Sequence, residues 1–543
     1  MKGHDAIAKA LHEQGIDTGF GVVGDANVFI VDSMVNNHGT RYVSAPHEAS
    51  AVLMAIGYAR ASQRLGFATV THGPGFTNTI TPLVEGVRSR TAMVVLTGET
   101  AVSDRNHLQK IGTRELCAAC GAGYEPIRTP ATIAVDVATA VRRAHAEQRP
   151  IVLAVPYDYE FLEVETTSVP RHDPPAQSLA PDPAALDKAV GIIAASSRPI
   201  VLGGRGAALS GARESLLRLA ARIGAPVATT VLGQGLFRGD PFDIGIFGTL
   251  SNPVASEVID RADCVIAFGA GLNFLTTDRG ALLEGKAVVQ VDIDVERLGD
   301  LSQIDAGIIG DATLVADTIV SYLDQAEHKP SGFRSPELEA RLHDHDPARE
   351  FTDCSNERSV DPRTLTLRLD EVIPADRTVV VDAGRYMRSA LKLAAPDPLS
   401  LVTTHAFGSI GLGMATAIGA AVAHPDRPTV MVAGDGGFMM GGILDINTAV
   451  QNRLDLIVVI YNDGSYGAEH IQFHNKNMDP ALSLHRWPSF AAVAQSMGAT
   501  GVTINNLAEL ERLDDIIRTR SGVVLVDVQM DPGIISEVIG GAH

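Results

Sequence analysis

Short apolar runs without polar alternation recur along the chain and constrain its fold more than any other feature. Such runs are typical of parallel strands that are covered by helices on both faces. Helical stretches such as 49–60, 210–223 and 507–518 separate the runs. The sequence therefore predicts an α/β protein with doubly wound parallel sheets. The runs are 67–71, 92–96, 151–155, 199–202, 264–268, 287–292, 378–382, 428–433, 456–461 and 522–527.

Two stretches interrupt this rhythm and divide the chain. The first, 168–185, contains five prolines, which favours a stiff extended linker. The second, about 328–363, is rich in charge and has little apolar periodicity. Because 543 residues exceed what one core usually organises, we predict three domains, each with its own sheet: 1–165, 185–327 and 360–543.

The net charge disfavours some classes of partner. The formal charge is −20 and no cluster of Lys and Arg interrupts it, so nucleic acid and anionic membranes are not expected as partners. No apolar run approaches the ~20 residues that a membrane-spanning helix needs. The first residues also lack the apolar core of a signal peptide. A cytoplasmic location is the resulting expectation.

One carboxylate and one amide are expected at adjacent strand ends. The run 428–433 leads into a glycine-rich turn with Asp435, and the run 456–461 leads into Asn462. Oxygen ligands of this kind suit Mg²⁺, which takes its other ligands from phosphate and water. The turn would admit a phosphate, and a helix beginning near Met440 would direct its positive end there. The pattern predicts a metal-bridged diphosphate site; a turn that only joins strand to helix is the alternative.

Further polar residues follow the other strands, at the sheet edge where open α/β sheets bind ligands. Glu48 begins a helix of small apolar residues. Its carboxylate is therefore expected to be partly buried, with a protonation state that depends on the group it contacts. A simple partner of the helix dipole is the alternative. The candidate positions are Asp25, Glu48, His72 and Gln109 in the first domain, and Asp382, Arg385, Gly408, Gly411 and Gly413 in the third.

These motifs together resemble a known family. They are His47-Glu48-Ala49, Gly73-Pro74-Gly75 with Thr77-Asn78, Gln109, Gly434-Asp435-Gly436 and Asn462-Asp463. In this order they are similar to the thiamine-diphosphate enzymes of the acetolactate synthase, benzaldehyde lyase and 2-oxo acid decarboxylase group. The resemblance covers nearly the whole chain. It implies a pyrimidine-binding domain (1–165), a central domain (185–327) and a diphosphate-binding domain (360–543).

The resemblance also implies roles for the motif residues. Asp435, Asn462 and the carbonyl of Gly464 would hold Mg²⁺, and the metal would hold the diphosphate of the cofactor. Ile410 would lie under the bent cofactor, and Glu48 would hydrogen-bond its pyrimidine ring and help to form the ylid nucleophile. The implied cofactor-binding set is Glu48, Pro74, Asn78, Asp382, Gly384, Arg385, Ser409, Ile410, Gly434, Asp435, Gly436, Gly437, Asn462, Gly464 and Tyr466. The family also implies a homodimer or homotetramer with shared active sites.

The residues expected to face the substrate do not match a single branch of this family. Asp25 is similar to an acid of pyruvate decarboxylases, His72 to a histidine of benzoylformate decarboxylase, and Gln109 to a glutamine of the lyase and synthase branch. With Glu48 they form the implied catalytic set. The implied activity is that of a lyase or carboligase. In that family the cofactor would add to the carbonyl of a small 2-oxo acid or 2-hydroxy carbonyl compound, the adjacent C–C bond would break, and the resulting enamine would be protonated or ligated.

Two other functions stay open. One is acetolactate synthase proper, with pyruvate as donor and FAD in the central domain. The framework of that domain is similar, but 271–274 replaces an arginine-containing stretch. FAD, a CoA-type nucleotide and an empty structural domain are therefore all retained as alternatives. The other function is a cofactor-binding protein without catalysis, which the intact Glu48 disfavours.

Overall fold

Three parallel sheets with helices packed on them make up the computed structural model, which describes residues 1–101, 103–165, 167–171 and 178–534. Each sheet of this described part has six strands, which confirms the predicted α/β class. The first and third sheets belong to one compact unit, formed by 1–171, 354–390 and 402–534. The second sheet belongs to a separate compact unit.

The first sheet is formed by Thr18–Gly21 (β1), Arg41–Ser44 (β2), Gly66–Val70 (β3), Met93–Glu99 (β4), Gly123–Pro126 (β5) and Pro150–Pro156 (β6). Its order is β2-β1-β3-β4-β6-β5. The helices are Gly3–Glu13 (α1), Val28–His38 (α2), Glu48–Ser62 (α3), Pro74–Thr77 (α4), Ile80–Arg88 (α5), Thr113–Cys120 (α6) and Ile133–Glu147 (α7). Strands β3 and β6 are buried along their whole length, as near-continuous apolar runs require.

The second sheet is formed by Pro199–Gly203 (β7), Val227–Thr229 (β8), Asp243–Ile246 (β9), Cys264–Phe268 (β10), Ala287–Asp292 (β11) and Ala306–Ile309 (β12). Its order is β12-β11-β10-β7-β8-β9. The helices are Pro183–Ala195 (α8), Arg205–Leu209 (α9), Arg213–Ile223 (α10), Pro253–Arg261 (α11), Phe274–Thr277 (α12), Ala312–Gln325 (α13) and Pro336–His343 (α14).

Helix α8 begins inside the stretch 168–185 that was predicted as a linker. The side chain of Asp182 accepts hydrogen bonds from the backbone N–H groups of Ala184 and Ala185, at 3.0 and 3.1 Å. Pro183 occupies the first helical turn, where its missing N–H costs nothing. Part of the predicted linker, 172–177, lies outside the described residues.

The third sheet is formed by Thr378–Val381 (β13), Leu401–Thr403 (β14), Thr429–Gly434 (β15), Leu456–Asn462 (β16), Thr500–Ile504 (β17) and Val523–Gln529 (β18). Its order is β14-β13-β15-β16-β18-β17. The helices are Pro362–Val372 (α15), Met387–Ala390 (α16), Gly413–Ala423 (α17), Asp435–Gly441 (α18), Asp445–Gln451 (α19), Gly467–Asn475 (α20), Phe490–Ser496 (α21), Leu507–Leu510 (α22) and Leu513–Arg518 (α23).

The expectation of a helix near Met440 was wrong. Helix α18 begins at Asp435, directly after β15, so the glycine-rich turn is the first turn of the helix. Glycine is a poor helix former, but side chains pack too closely here for a larger residue. A Cβ on Gly436 would lie 2.7 Å from the ring of Tyr466, and one on Gly437 would lie 3.1 Å from the Asp382 carboxylate.

Helices α3 and α17 join the first and third sheets by close backbone contact. A Cβ on Gly57 would overlap the carbonyl oxygen of Thr416, and a Cβ on Gly419 would overlap that of Met54. Because residue 57 meets 416 while residue 54 meets 419, the two helices run antiparallel. Nearly every residue of both helices is buried, which explains why their sequences are apolar on all sides.

Polar contacts also connect the elements of the first and third sheets. Arg60 donates to the carbonyl of Thr403 at 2.5 Å. The buried carboxylate of Glu85 accepts from the backbone N–H groups of Ala406 and Phe407, at 3.2 and 2.8 Å. Burial raises the pKa of Glu85, and the two N–H donors counteract that rise. Glu85 thereby fixes the segment that leads into Ile410.

None of the helices in the described ranges combines the length and apolar character that crossing a bilayer requires.

Candidate active site

Strands β15 and β16 bring Asp435 and Asn462 to the same edge of the third sheet. The two strands are parallel neighbours, with Gly434 paired to Tyr461, so the next residue of each strand emerges side by side. The amide nitrogen of Asn462 donates to Asp527 at 2.8 Å, which leaves the amide oxygen free to accept or to bind a cation. Asp435 and Asn462 are both buried.

Gly464 supplies a third oxygen beside this pair. Its φ of +65° lies in the left-handed region that glycine adopts at no cost. Its carbonyl accepts from the backbone N–H of His485 at 2.7 Å, which leaves a second lone pair available. A carboxylate, an amide oxygen and a carbonyl oxygen form a donor set that suits a small hard cation such as Mg²⁺.

The electrostatics of the Asp435 turn favour a cation. Burial, followed by the charge of Asp463, raises the pKa of Asp435 to about 7. Asp463 itself forms an ion pair with Arg385 and accepts from the Ser465 backbone N–H at 2.9 Å. Arg385 also donates to the carbonyl of Pro532 at 2.9 Å. The predicted residue Arg385 therefore lies beside the site and is held by two protein groups.

Asp382 stabilises the loop that contains Ile410 by hydrogen bonding to it. It is fully buried and accepts hydrogen bonds from Thr404 and from the backbone N–H groups of Gly411 and Leu412, at 2.9, 2.8 and 3.2 Å. Burial raises the pKa of Asp382 to about 6. Its carboxylate thus holds this loop in place, and a contact of Asp382 with the cofactor stays a prediction.

The remaining predicted residues of this half surround the same turn. A Cβ on Gly437 would lie 3.4 Å from Cβ of Ile410, and one on Gly434 would lie 3.0 Å from the ring of Tyr386. Gly384 also lies against that ring, and Ser409 Oγ donates to the carbonyl of Ile410 at 3.2 Å. With Tyr466 against Gly436, these residues pack closely around the start of α18, where glycine is the residue that fits.

Glu48 lies at the start of α3 and is half-buried, as predicted. Asn78 donates to its carboxylate at 3.0 Å, and a Cβ on Gly75 would lie 3.5 Å from the other carboxylate oxygen. His47 caps the helix by accepting from the Ala49 backbone N–H at 3.1 Å. Pro74, the first residue of α4, is exposed and precedes Gly75.

His72 is buried, and neither ring nitrogen has a hydrogen-bond partner among the described residues. Burial, followed by the neighbouring His107, lowers the pKa of His72, while Asp25 acts in the opposite direction. A Cβ on Gly73 would lie 2.5 Å from the carbonyl oxygen of Gln109. The structure therefore brings His72, Gln109 and the exposed Asp25 into one region.

Sequence reasoning missed His107, whose ring lies edge-on to His72 with centroids 5.2 Å apart. The backbone N–H of Gln109 donates to Nδ1 of His107 at 3.2 Å, which assigns the proton of the neutral ring to Nε2. The signal that could have found it is its position two residues before Gln109 in the same loop.

Sequence reasoning also missed Trp487, the only tryptophan in the chain. Its indole N–H donates to Oδ2 of Asp435 at 2.7 Å. A tryptophan in a loop gives no chemical signal by itself, and the contact spans 52 positions. Its uniqueness was the one hint available.

Glu48 and Ile410 lie toward opposite ends of the α3–α17 pair. Because the helices are antiparallel and Gly57 meets Thr416, the start of α3 and the start of α17 are separated by about 18 Å along the helix axes at 1.5 Å per residue. Ile410 precedes the start of α17. Glu48 and Ile410 therefore lie at different levels along this helix pair within one chain.

Comparison with known proteins identifies three consecutive matches. Residues 1–116 match the N-terminal TPP binding domain of thiamine pyrophosphate enzymes, 186–319 match their central domain, and 382–528 match their C-terminal TPP binding domain.

Named relatives span nearly the whole chain. Sulfoacetaldehyde acetyltransferase of Rhodobacter capsulatus is 28% identical, over 94% of this chain and 90% of its own. A probable acetolactate synthase large subunit of Methanococcus aeolicus is 26% identical, over 98% and 92%. Acetolactate synthase isozyme 2 large subunit of Escherichia coli is 25% identical, over 98% and 96%. The three matched domains and these relatives agree with the geometry of the site, and the chain belongs to the thiamine pyrophosphate enzyme family.

Proposed function

We propose that the protein is a thiamine-diphosphate- and Mg²⁺-dependent enzyme that breaks, and can re-form, a C–C bond beside the carbonyl of a small substrate. The substrate class is a 2-oxo acid or a 2-hydroxy carbonyl compound. The observation that carries the proposal is the set of oxygens from Asp435, Asn462 and Gly464 at adjacent strand ends, within a matched TPP binding domain.

The residues present fit the cofactor. Asp435, Asn462 and the Gly464 carbonyl would hold Mg²⁺, since all three donors are hard oxygens. The backbone of Gly434, Gly436 and Gly437 would lie against the diphosphate, because these three residues carry no side chain that would keep a phosphate at a distance. When bound, the cofactor supplies a nucleophilic carbon that can add to a carbonyl and accept the electron pair of the bond that breaks.

Glu48 is the proposed proton-handling residue for the aminopyrimidine ring. Its carboxylate is half-buried and is oriented by the amide of Asn78 at 3.0 Å, so one oxygen is fixed and the other is left for a ligand. His47 caps the helix and holds the backbone at this point. Glu48→Gln is expected to abolish turnover and to leave most of the cofactor affinity intact, because the diphosphate contacts lie in another domain.

Asp25, His72 and Gln109 are proposed to face the substrate. The unpartnered nitrogens of His72 make it the strongest candidate for proton exchange with the reacting oxygen, since a buried imidazole without partners costs free energy that a ligand can recover. The backbone of Gln109 lies against Gly73, next to His72. Asp25 is exposed, and its carboxylate would favour the protonated form of His72.

The active site is proposed to form between two copies of the chain. The start of α3, where Glu48 lies, and the start of α17, which follows Ile410, are about 18 Å apart along the helix axes, and we take this separation as too large for one cofactor molecule to contact both residues of the same chain. A second chain related by two-fold symmetry would supply the missing half to each site. A homodimer is the smallest such assembly, and a homotetramer of two dimers also satisfies it.

Acetolactate synthesis from pyruvate is the second candidate, because several relatives carry that name. Flavin absorbance in the purified protein distinguishes this candidate, which would have FAD in the central domain, from an enzyme without a flavin. Acetolactate formed from pyruvate alone would establish the second candidate.

Purified protein should be incubated with thiamine diphosphate, Mg²⁺ and a panel of 2-oxo acids, 2-hydroxy ketones and sulfoacetaldehyde, with CO₂ release and ligated products followed. We expect turnover that requires both cofactors and is lost in Asp435→Asn. Calorimetry that detects no Mg²⁺-dependent uptake of thiamine diphosphate would contradict the proposal.

A further inference from the structure

One short segment contacts two of the three candidate metal ligands. His485 and Trp487 lie in the loop between α20 and α21. The backbone N–H of His485 donates to the Gly464 carbonyl at 2.7 Å, and the indole N–H of Trp487 donates to Oδ2 of Asp435 at 2.7 Å. The segment therefore fixes both a backbone ligand and a side-chain ligand of the candidate site.

Aromatic packing holds the indole in this orientation. The ring of His485 stacks on Trp487 with centroids 4.7 Å apart and an angle of 20° between the planes. The ring of Tyr466 lies edge-on to His485 at 4.5 Å, and Trp487 packs against the buried apolar core. The indole is partly buried, and turning its N–H away from Asp435 would break its stacking on His485.

The hydrogen bond gives the two oxygens of Asp435 different roles. Tryptophan is a donor only, so its N–H occupies Oδ2 and cannot itself bind a cation. The backbone N–H groups of Gly436 and Gly464 also interact with this carboxylate, and Oδ1, which the indole does not contact, is the oxygen that would face a metal. Groups that orient a ligating carboxylate in this way affect metal affinity almost as strongly as the ligands do.

We propose that Trp487 is a positioning residue for the metal site: its indole N–H fixes the Asp435 carboxylate so that Oδ1 faces Mg²⁺, and as the sole tryptophan it reports optically on metal and cofactor binding. The inference rests on the proposed function, because it concerns the same metal site. It assigns to Trp487 a role that its packing contacts alone do not require.

The first test uses the wild-type protein. Tryptophan emission should be recorded while MgCl₂ is added in the presence of thiamine diphosphate, and the same titration should be followed by calorimetry. We expect emission to change and to saturate at the concentrations that saturate the heat, and we expect Asp435→Asn to lose both signals. Heat without any change in emission would overturn the inference and leave the proposed function standing. Absence of both signals would count against the proposed function itself.

The second test removes the donor and keeps a ring. Trp487→Phe should weaken Mg²⁺-dependent binding of thiamine diphosphate by about 10- to 100-fold in calorimetry, while kcat at saturating cofactor stays within a few-fold of wild type. Arg486→Ala is the matched control, because its exposed side chain lies in the same segment and should leave the affinity unchanged.

A structural role alone predicts a different pattern. In that case Trp487→Phe would lower the thermal midpoint of the cofactor-free protein and leave the affinity of the folded fraction within two-fold of wild type, which would overturn the inference. Should Trp487→Phe fail to fold, the wild-type emission titration still decides the question.

Discussion

Gly57 of α3 lies directly against the carbonyl of Thr416 in α17, with no space for a Cβ between them. Gly57→Ala should destabilise the unit that contains the first and third sheets by about 3 kcal/mol, because overpacking against rigid backbone forces the helices apart. Urea unfolding followed by circular dichroism would measure the change. Gly191→Ala is the control: Gly191 lies within α8 with open space around it, so alanine there should be neutral or stabilising. Equal midpoints for Gly57→Ala and wild type would contradict the close packing.

Mixing two inactive variants tests whether sites are shared. Glu48→Gln and Asp435→Asn lie in different halves of the predicted site, so a hybrid dimer of one chain of each has one intact site. An equal mixture that exchanges subunits at random should recover about one quarter of wild-type activity, since half of the dimers are hybrids. Co-purified hybrids with two affinity tags would provide the sample. Hybrids without activity would indicate that both residues must come from one chain.

His107 should set the pH at which His72 changes its charge. Because His107 lowers the pKa of His72 and Asp25 raises it, His107→Ala should move the acidic limb of kcat/KM upward in pH and Asp25→Asn should move it downward. His72→Gln should lower kcat by about 100-fold or more, as expected for loss of a general acid or base. Leu108→Ala, whose side chain is 91% exposed, should leave the profile in place. A profile that does not respond to His107→Ala would exclude this coupling.

Glu160 should make the stability of the protein depend on pH. It lies in the turn Tyr157–Phe161, fully buried, and its carboxylate oxygens have no partner in the described part of the chain. Burial raises the pKa of Glu160 from 4.5 to about 8. Because the folded state holds the proton more tightly, the stabilisation is complete below pH 4.5 and is lost as pH rises to about 8, by up to about 1.4 kcal/mol per pH unit.

Unfolding free energies at pH 5, 6.5 and 8 would test this. Glu160→Gln cannot ionise, so its stability relative to wild type should increase steadily across the three values. Glu165→Gln, at an exposed position of the same region, should show no such trend. A constant difference between Glu160→Gln and wild type would mean that Glu160 does not titrate in this range.

The buried strands could be predicted from the sequence because their apolar pattern is local. The predicted runs 264–268 and 287–292 coincide with β10 and β11, since a strand covered on both faces needs apolar residues throughout. The start of α18 could not be predicted, because the low helix propensity of glycine disfavours a helix that begins at Asp435. Only the rings and carboxylates that pack against Gly436 and Gly437 make those glycines necessary.

The candidate site was predictable where its chemistry lies in short motifs and not where it depends on tertiary contact. Asp435 and Asn462 follow adjacent strands, so their meeting follows from the parallel order of the sheet. Trp487, His107 and Glu85 reach their partners across loops whose paths no local pattern specifies. The hydrogen bonds from the backbone of the 411–412 segment to Asp382 were likewise not predictable, because they join residues 29 and 30 positions apart.

The antiparallel arrangement of α3 and α17 has a consequence for regulation. In the proposed assembly a lone polypeptide carries parts of two different catalytic centres but no complete one. Dissociation would therefore abolish turnover even when each chain stays folded. The cellular concentration of the protein relative to the dissociation constant of the dimer would then determine how much active enzyme is present.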